Sequence, residues 1–247
     1  MEFALKNASG ETLDYTFQPG QGEIKPDWLI VLGHGVTGNK DRPVITATAQ
    51  ALNEAGFATL AITFSGNGNS EGDFREATIS KAAADLQSVI DVVSQEYAHI
   101  GYVGHSMGCA VGVIETARDE RIEALVSLAG MVDARTFAQT EFRDVTPDEG
   151  LMWDDPACPL SKAFMDDLCE TVGSVLPQAK AITIPWLLLH GTADDVVLPR
   201  DTESVVILKG NAVKAVLMDG ADHSFTSPAH MQLATKAVAN WFTELVK

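Results

Sequence analysis

The chain has 247 residues, 46% of them hydrophobic, which suits one α/β domain with a large core and room for an insertion. Its formal net charge of −17 sets an acidic surface against phosphate backbones and anionic lipid, which argues against nucleic-acid and membrane partners. No run of about 18 apolar residues reads as membrane-spanning, and the first residues lack the basic-then-apolar order of a signal peptide, so no leader is expected.

In chain order, "EFALKNASGETLDYTFQP" predicts a β-hairpin around a Ser9-Gly10 turn. "DWLIVLGHG" is a continuous apolar run ending in glycine, as in a buried parallel strand. A helix follows over about 43–55, stopped by Gly56, and "FATLAITFSG" is the next buried strand. "NGNSEGDF" is a loop. It lacks a GxxxxGK[ST] pattern and so is not read as a phosphate cradle. Residues 75–96 carry a helical period, with Ile79, Ala83, Leu86 and Ile90 on one face. "HIGYVG" is a core strand, followed by a helix over 107–117 and the strand "EALVSLAG".

The alternation breaks at about 131–180, where a punctuated, acidic stretch contains Phe164, Leu168 and Val172 at helical spacing. It resumes with "IPWLLLHG", a helix near 200–208, the strand "AVKAVLMDG" and a closing helix to Leu245. The expected architecture is a single α/β domain over 1–247, with a mostly parallel sheet, helices on both faces and a helical cap inserted at about 131–180. Three cysteines, Cys109, Cys158 and Cys169, are too few and scattered for a disulfide framework or a zinc site. That pattern fits a soluble chain in the reducing cytoplasm, with Cys109 a small buried residue rather than a nucleophile.

"YVGHSMGCA" carries the chemistry. Gly104 and Gly108 flank Ser106 between a strand and a helix, where glycine is costly unless the turn is too tight for a side chain. Such a turn exposes the serine Oγ and aims the helix N-terminus at whatever the serine attacks. Serine needs a base, and the base an orienting carboxylate. Asp194, with Asp195 beside it, follows the strand "PWLLLHG", and His223 follows "AVKAVLMDG". Both lie past the C-terminal ends of predicted strands, the edge where open α/β sheets place their sites. Two backbone N–H groups can meet a developing oxyanion. These are the amide of Met107 and, after a tight turn at His34-Gly35, that of Val36.

The pieces "HGVTGNKDRP", "FSGNGNSEGDF", "GHSMG", "HGTADDVV" and "GADHSF", in this order, resemble the α/β-hydrolase superfamily over nearly the whole chain. Within it they are most similar to the small intracellular esterases of the cinnamoyl (feruloyl) type. The resemblance implies an α/β-hydrolase fold and carboxylic-ester hydrolysis with no metal and no organic cofactor. It also implies Ser106 as nucleophile, His223 as base, Asp194 rather than Asp195 as the acid, and the amides of Val36 and Met107 as oxyanion donors. Val36 stands where such esterases often carry an aromatic residue.

Other residues have plainer readings. His34, His105 and His190 read as packing residues, His99 as a strand opener, His230 as a helix-face residue and Asp222 as a solvated loop charge. Trp153, Phe164 and Met165 either line a substrate pocket or form the cap's own core. Met131–Glu170 holds ten acidic residues against three basic ones, so a cap over the site would disfavour polyanionic substrates. The expected activity is hydrolysis of small soluble esters through an acyl-enzyme. A thioesterase or small peptidase would use the same triad, and a non-catalytic ligand-binding protein could use the same fold.

Overall fold

A computed structural model of the chain describes residues 3–20 and 27–247. The apolar runs become strands β1 (Tyr15–Gln18), β2 (Trp28–Gly33), β3 (Ala58–Ile62), β4 (His99–His105), β5 (Ile122–Leu128), β6 (Trp186–Gly191) and β7 (Val213–Met218). They form one sheet in the order β1-β3-β2-β4-β5-β6-β7, parallel except for β1, which runs antiparallel to β3. The helices are α1 (Pro43–Glu54), α2 (Ile79–Val93), α3 (Met107–Thr116), α4 (Ala134–Glu141), α5 (Lys162–Asp166), α6 (Leu176–Ala181), α7 (Arg200–Lys209) and α8 (Pro228–Leu245).

Both faces of the sheet are covered, which is why its strands read as unbroken apolar runs. Side chains alternate along each strand. On β2, Leu29 and Val31 pack with α2 and α3 on one face, while Ile30 and Leu32 pack with α1 and α8 on the other. The same division separates Leu188 from Leu187 and Leu189 on β6.

The N-terminal hairpin is narrower than its sequence suggests. Lys6 and Thr12 form a single bridge, and Gly10 takes the left-handed conformation (φ 81°). The Asn7 Oδ1 accepts the N–H groups of Ser9 and Glu11, so a side chain holds the turn. The second arm then leaves its partner and becomes β1, pairing with β3 at the sheet edge. The buried Asp85 fastens the hairpin, accepting from Asn7 Nδ2 (2.8 Å) and from the Ser65 N–H (2.8 Å).

Helix α2 starts at Ile79, later than its periodicity implies, because the Thr78 hydroxyl caps it by accepting the Lys81 N–H. A short 3₁₀ turn, Phe74–Glu76, fills the gap. Residues 131–181, between β5 and β6, hold α4, α5 and α6 on the α2/α3 face. The helix expected through Phe164, Leu168 and Val172 widens after α5 into a π-turn, Asp167–Val172, and ends at Gly173 with φ 61°. Leu168 stays buried, and Val172 is half-buried.

Two carboxylates moor this segment. Asp167 accepts from the backbone N–H and hydroxyl of Ser80 on α2, and Asp201 on α7 accepts the N–H groups of Val132 (2.7 Å) and Asp133 (3.0 Å). Asp201→Ala strands those two donors in a largely buried site and is expected to cost about 2–4 kcal/mol of stability in urea unfolding. Asp201→Asn keeps an acceptor oxygen and loses less. Equal stability of the alanine variant and the wild type would contradict this role.

Candidate active site

The turn at the end of β4 is the point from which the site is built. Ser106 lies between β4 and α3 with φ 54° and ψ −120°, a conformation that costs a non-glycine residue about 1–3 kcal/mol. The flanking glycines exist because α3 approaches β4 and β2 closely. A Cβ on Gly104 would lie 2.4 Å from the Gly108 carbonyl carbon, and one on Gly108 would lie 2.5 Å from the Gly33 oxygen. The turn is tied to β5, since the Ser106 N–H donates to the Leu128 carbonyl (3.0 Å).

Gly33 on β2 is in register with Gly104 on β4, so the loop after β2 runs beside Ser106. A Cβ on Gly35 would come within 2.9 Å of Ser106 Cβ and 3.3 Å of its Oγ. The tight turn is one step later than expected. It spans Gly35–Gly38, closed by the Gly38 N–H on the Gly35 carbonyl (3.0 Å), with Thr37 left-handed at φ 54°. Buried His34 braces it. Its Nδ1–H donates to the Gly35 carbonyl (2.8 Å), and its Nε2 accepts the Phe64 N–H (3.0 Å). Val36 lines the cavity beside Ser106, and Met107 opens α3, where N–H groups have no acceptor within the helix. Both expected donors thus flank the serine.

Asp194 and His223 come from the loops after β6 and β7, whose ends are in register through Gly191 and Met218. His223 Nδ1 is 2.8 Å from Asp194 Oδ2. Asp194 is buried, and Asp195 is exposed. The Asp194 Oδ1 accepts the N–H groups of Val196 (3.0 Å) and Val197 (2.9 Å), while His190 Nε2 lies 3.1 Å from Oδ2. Burial by itself raises the Asp194 carboxyl, but the hydrogen bonds from His190, His223 and Val197, together with the charge attraction of His223, outweigh it and hold the group well below the usual carboxylate range. It is therefore a fixed anion against His223 Nδ1. The glycine-flanked serine and His223 share one cavity of about 480 Å³, with Asp194 buried behind the histidine. That size lies within the usual small-ligand range of about 300–1,000 Å³.

The cavity wall differs from expectation. Trp153 lines it, with φ 49°, its indole N–H on Glu141 (2.8 Å) and its ring 5.1 Å from that of Phe142. Phe164 is buried against Phe142, and Met165 packs into the same cluster, so both belong to the core of the inserted segment and not to the cavity lining. Phe137, Val196 and Met231 supply apolar wall that the sequence reading did not identify. Each comes from a different element, and no local pattern marks it. Among the described residues no aspartate or glutamate lines the cavity, and Arg42 is its one permanently charged side chain. The acidic residues of the inserted segment therefore lie outside the lining, against the expectation that they would front the substrate. Among the described residues no three His, Cys, Asp or Glu side chains converge as metal ligands, and no helix is long and apolar enough to cross a membrane.

Two imidazoles of the site are buried uncharged. Burial pushes His34 down from 6.5 to about 4, and burial together with the neighbouring His223 pushes His105 down to about 3. Unfolding exposes both, so below the ordinary value of 6.5 the unfolded chain binds protons that the native chain refuses. Folding carries no penalty from them above that pH. As pH falls, each subtracts about 1.4 kcal/mol per pH unit until its native value is reached. Asp194 adds a loss of the same sign only as pH drops past its ordinary 3.8. The melting temperature is accordingly expected to fall steadily from pH 7 to pH 5, with a shallower slope in a His34→Gln variant. A flat profile over that interval would contradict the neutral burial of these rings.

A sequence model described as the prolyl oligopeptidase family matches residues 43–247. A mitochondrial palmitoyl-protein thioesterase, ABHD10 of Bos taurus, is 26% identical over 231 residues, covering 87% of this chain and 73% of that protein. A 31.7 kDa protein of the traX-finO intergenic region of Escherichia coli is 29% identical over 138 residues, or 54% of this chain. The matched stretch spans about half (48%) of that relative's length. Est1E of Butyrivibrio proteoclasticus, solved with ferulic acid bound, superposes with a TM-score of 0.84 at 25% identity, covering 99% of this chain and 98% of that one. The sheet, its one antiparallel strand and the helices around it are thus those of the α/β-hydrolases, and the expected likeness to esterases of that group is met.

Proposed function

We propose, for a chain that belongs to the prolyl oligopeptidase family and has the fold of ester- and thioester-cleaving hydrolases, that it is a serine carboxylesterase acting on small esters. The observation that carries the reading is the shared cavity. It joins a strained serine at the end of β4 to a histidine whose Nδ1 is bonded to a buried, ionised aspartate. Asp194 holds His223 in the tautomer with the proton on Nδ1, leaving Nε2 free to take a proton. Ser106 Oγ attacks the ester carbonyl as its proton passes to His223 Nε2. The carbonyl oxygen gains the negative charge between the N–H groups of Met107 and Val36. Asp194 stabilises the imidazolium. The tetrahedral adduct collapses, the C–O bond to the alcohol breaks, and the alcohol leaves with the proton from His223. Water then repeats the sequence on the acyl-serine, losing a proton to His223, and the acid is released with Ser106 restored.

The inserted segment at 131–180 serves as a cap in this reading. Phe137 and Trp153 are the residues through which it meets the substrate, and the apolar wall suits an uncharged acyl or aryl group. A second reading, thioester cleavage, is favoured by the similarity to a palmitoyl-protein thioesterase over most of the chain. The three free cysteines suit a reducing compartment such as the cytoplasm.

Ser106→Ala is expected to abolish fluorophosphonate labelling and to lower p-nitrophenyl acetate turnover by about a thousandfold or more. Near wild-type turnover would remove the serine from the mechanism, and an unlabelled wild type would favour a binding protein. Matched ester, thioester and amide substrates then separate the chemistries, with the oxygen ester expected to give the highest kcat/KM. A higher value for the thioester would promote the second reading.

The neighbouring aspartates give a sharper test. Asp194→Asn cannot both fix the tautomer and balance the imidazolium, and should lower kcat by about a thousandfold or more. Asp195→Asn, on an exposed side chain, should cost less than about tenfold by the same reasoning. The reverse order would transfer the acid role to Asp195.

A further inference from the structure

His105, next to the nucleophile, read as a packing residue, but its ring is hydrogen-bonded into the site. Its Nε2 lies 3.0 Å from the backbone carbonyl of His223, 118 residues away in sequence. A carbonyl can only accept, so Nε2 carries the proton and donates it. The two rings face one another with centroids 5.0 Å apart and an interplanar angle of 44°. His105 also lines the cavity with Ser106 and His223.

The loop after β7 has tethers on either side of His223. Before it, the Gly220 N–H donates to Thr192 Oγ1 (2.9 Å) and the Ala193 N–H to the Ala221 carbonyl (3.0 Å). Across it, the Thr226 N–H donates back to Asp222 Oδ1 (2.8 Å), and after it Phe225 turns the chain with φ 53°. At His223 itself the backbone is held through its carbonyl, and the donor comes from β4, the strand that carries the nucleophile. One side chain thus connects the peptide of the base to the residue preceding the nucleophile.

We propose that His105 is a positioning residue: its Nε2–H bond to the His223 carbonyl fixes the loop of the base relative to Ser106. The proposal rests on the reading of Ser106 and His223 as nucleophile and base. The distance between the two reacting groups is set by two separate loops, and a displacement of a fraction of an ångström costs rate out of proportion to its size. A donor here must also be uncharged, because His223 becomes a cation during the reaction. A lysine or arginine would oppose that charge at close range, whereas imidazole remains neutral in this environment down to about 3.

The test compares His105→Phe, His105→Gln and His105→Asn with wild type and Ser106→Ala. The readouts are kcat and KM for p-nitrophenyl acetate, the rate of fluorophosphonate labelling, and the melting temperature. Phenylalanine fills the space but cannot donate. It is expected to lower kcat about 30-fold with KM within about threefold, and to slow labelling in parallel. Glutamine places an amide N–H near the position of Nε2 and should return kcat to within about fivefold of wild type. Asparagine is one carbon shorter, does not reach, and should resemble phenylalanine. If the phenylalanine variant does not fold, a glutamine rate about tenfold or more above that of asparagine supports the proposal, and equal rates overturn it. A phenylalanine variant within threefold of wild-type kcat also overturns it, as does glutamine falling as far as phenylalanine. A change in KM and melting temperature with kcat retained would reduce His105 to packing. An unlabelled wild type, or an active Ser106→Ala, would instead fault the serine-hydrolase reading on which the proposal stands.

Discussion

The close approach of α3 to the ends of β2 and β4 is the constraint on which the site depends. It requires glycine at 104 and 108, since a side chain at either position would overlap backbone at about 2.4–2.5 Å. It forces Ser106 into a left-handed conformation that a non-glycine residue adopts only when its surroundings hold it there. The Leu128 carbonyl on β5 and the loop after β2 are those surroundings. The same geometry starts α3 directly behind the serine, with its N-terminal dipole end beside Ser106. The strain at Ser106 and the start of a helix directly behind it therefore have one steric origin.

The second determinant is electrostatic. In a chain of net charge −17, the buried carboxylate of Asp194 is kept anionic by directed hydrogen bonds together with the charge attraction of His223. Burial of Asp194 opposes ionisation. The N–H groups of Val196 and Val197, with His190 and His223, supply enough donors to reverse it. Those donors lie within a few residues of Asp194 or are held by β6 and the loop after β7, so Asp194 is organised by the sheet edge itself. Around it, His34 and His105 are buried as neutral rings, each in a defined tautomer and each fixing a backbone carbonyl. Among the described residues the site thus holds three kinds of histidine: His34 and His105, which meet backbone carbonyls, His190, which lies against Asp194, and His223, whose Nδ1 is bonded to it.

The inserted segment shows that residue counts do not place charges. Its ten acidic residues give it a strongly negative composition, yet none of them lines the cavity. A carboxylate remains in water unless bonded, as Asp167 is to Ser80, so the segment turns its apolar residues inward and its acids outward. What reaches the cavity is Phe137 and Trp153, with Arg42 from the start of α1. The charge that a substrate meets first is therefore set by the lining and not by the segment total.

Features that arise from neighbouring residues were legible in the sequence. Continuous apolar runs marked the buried strands. Gly104, Ser106 and Gly108 marked the turn, because close packing leaves glycine as the only solution. The positions of Ser106, Asp194 and His223 after β4, β6 and β7 placed them at one edge, because parallel strands end on the same side. What the sequence could not determine is set by contacts between distant residues. The tight turn moved to Gly35–Gly38 because His34 bonds the Gly35 carbonyl and the Phe64 backbone, 30 residues on. Phe164 went to the core and Phe137 to the cavity, a choice made by how α4 and α5 pack and not by their composition. Likewise, His105 and His223 are 118 residues apart, and only the register of β4 through β7 brings one ring to the other's carbonyl. Local sterics and periodicity act over a few residues of contiguous chain, whereas a hydrogen-bond partner is found only once the sheet has closed.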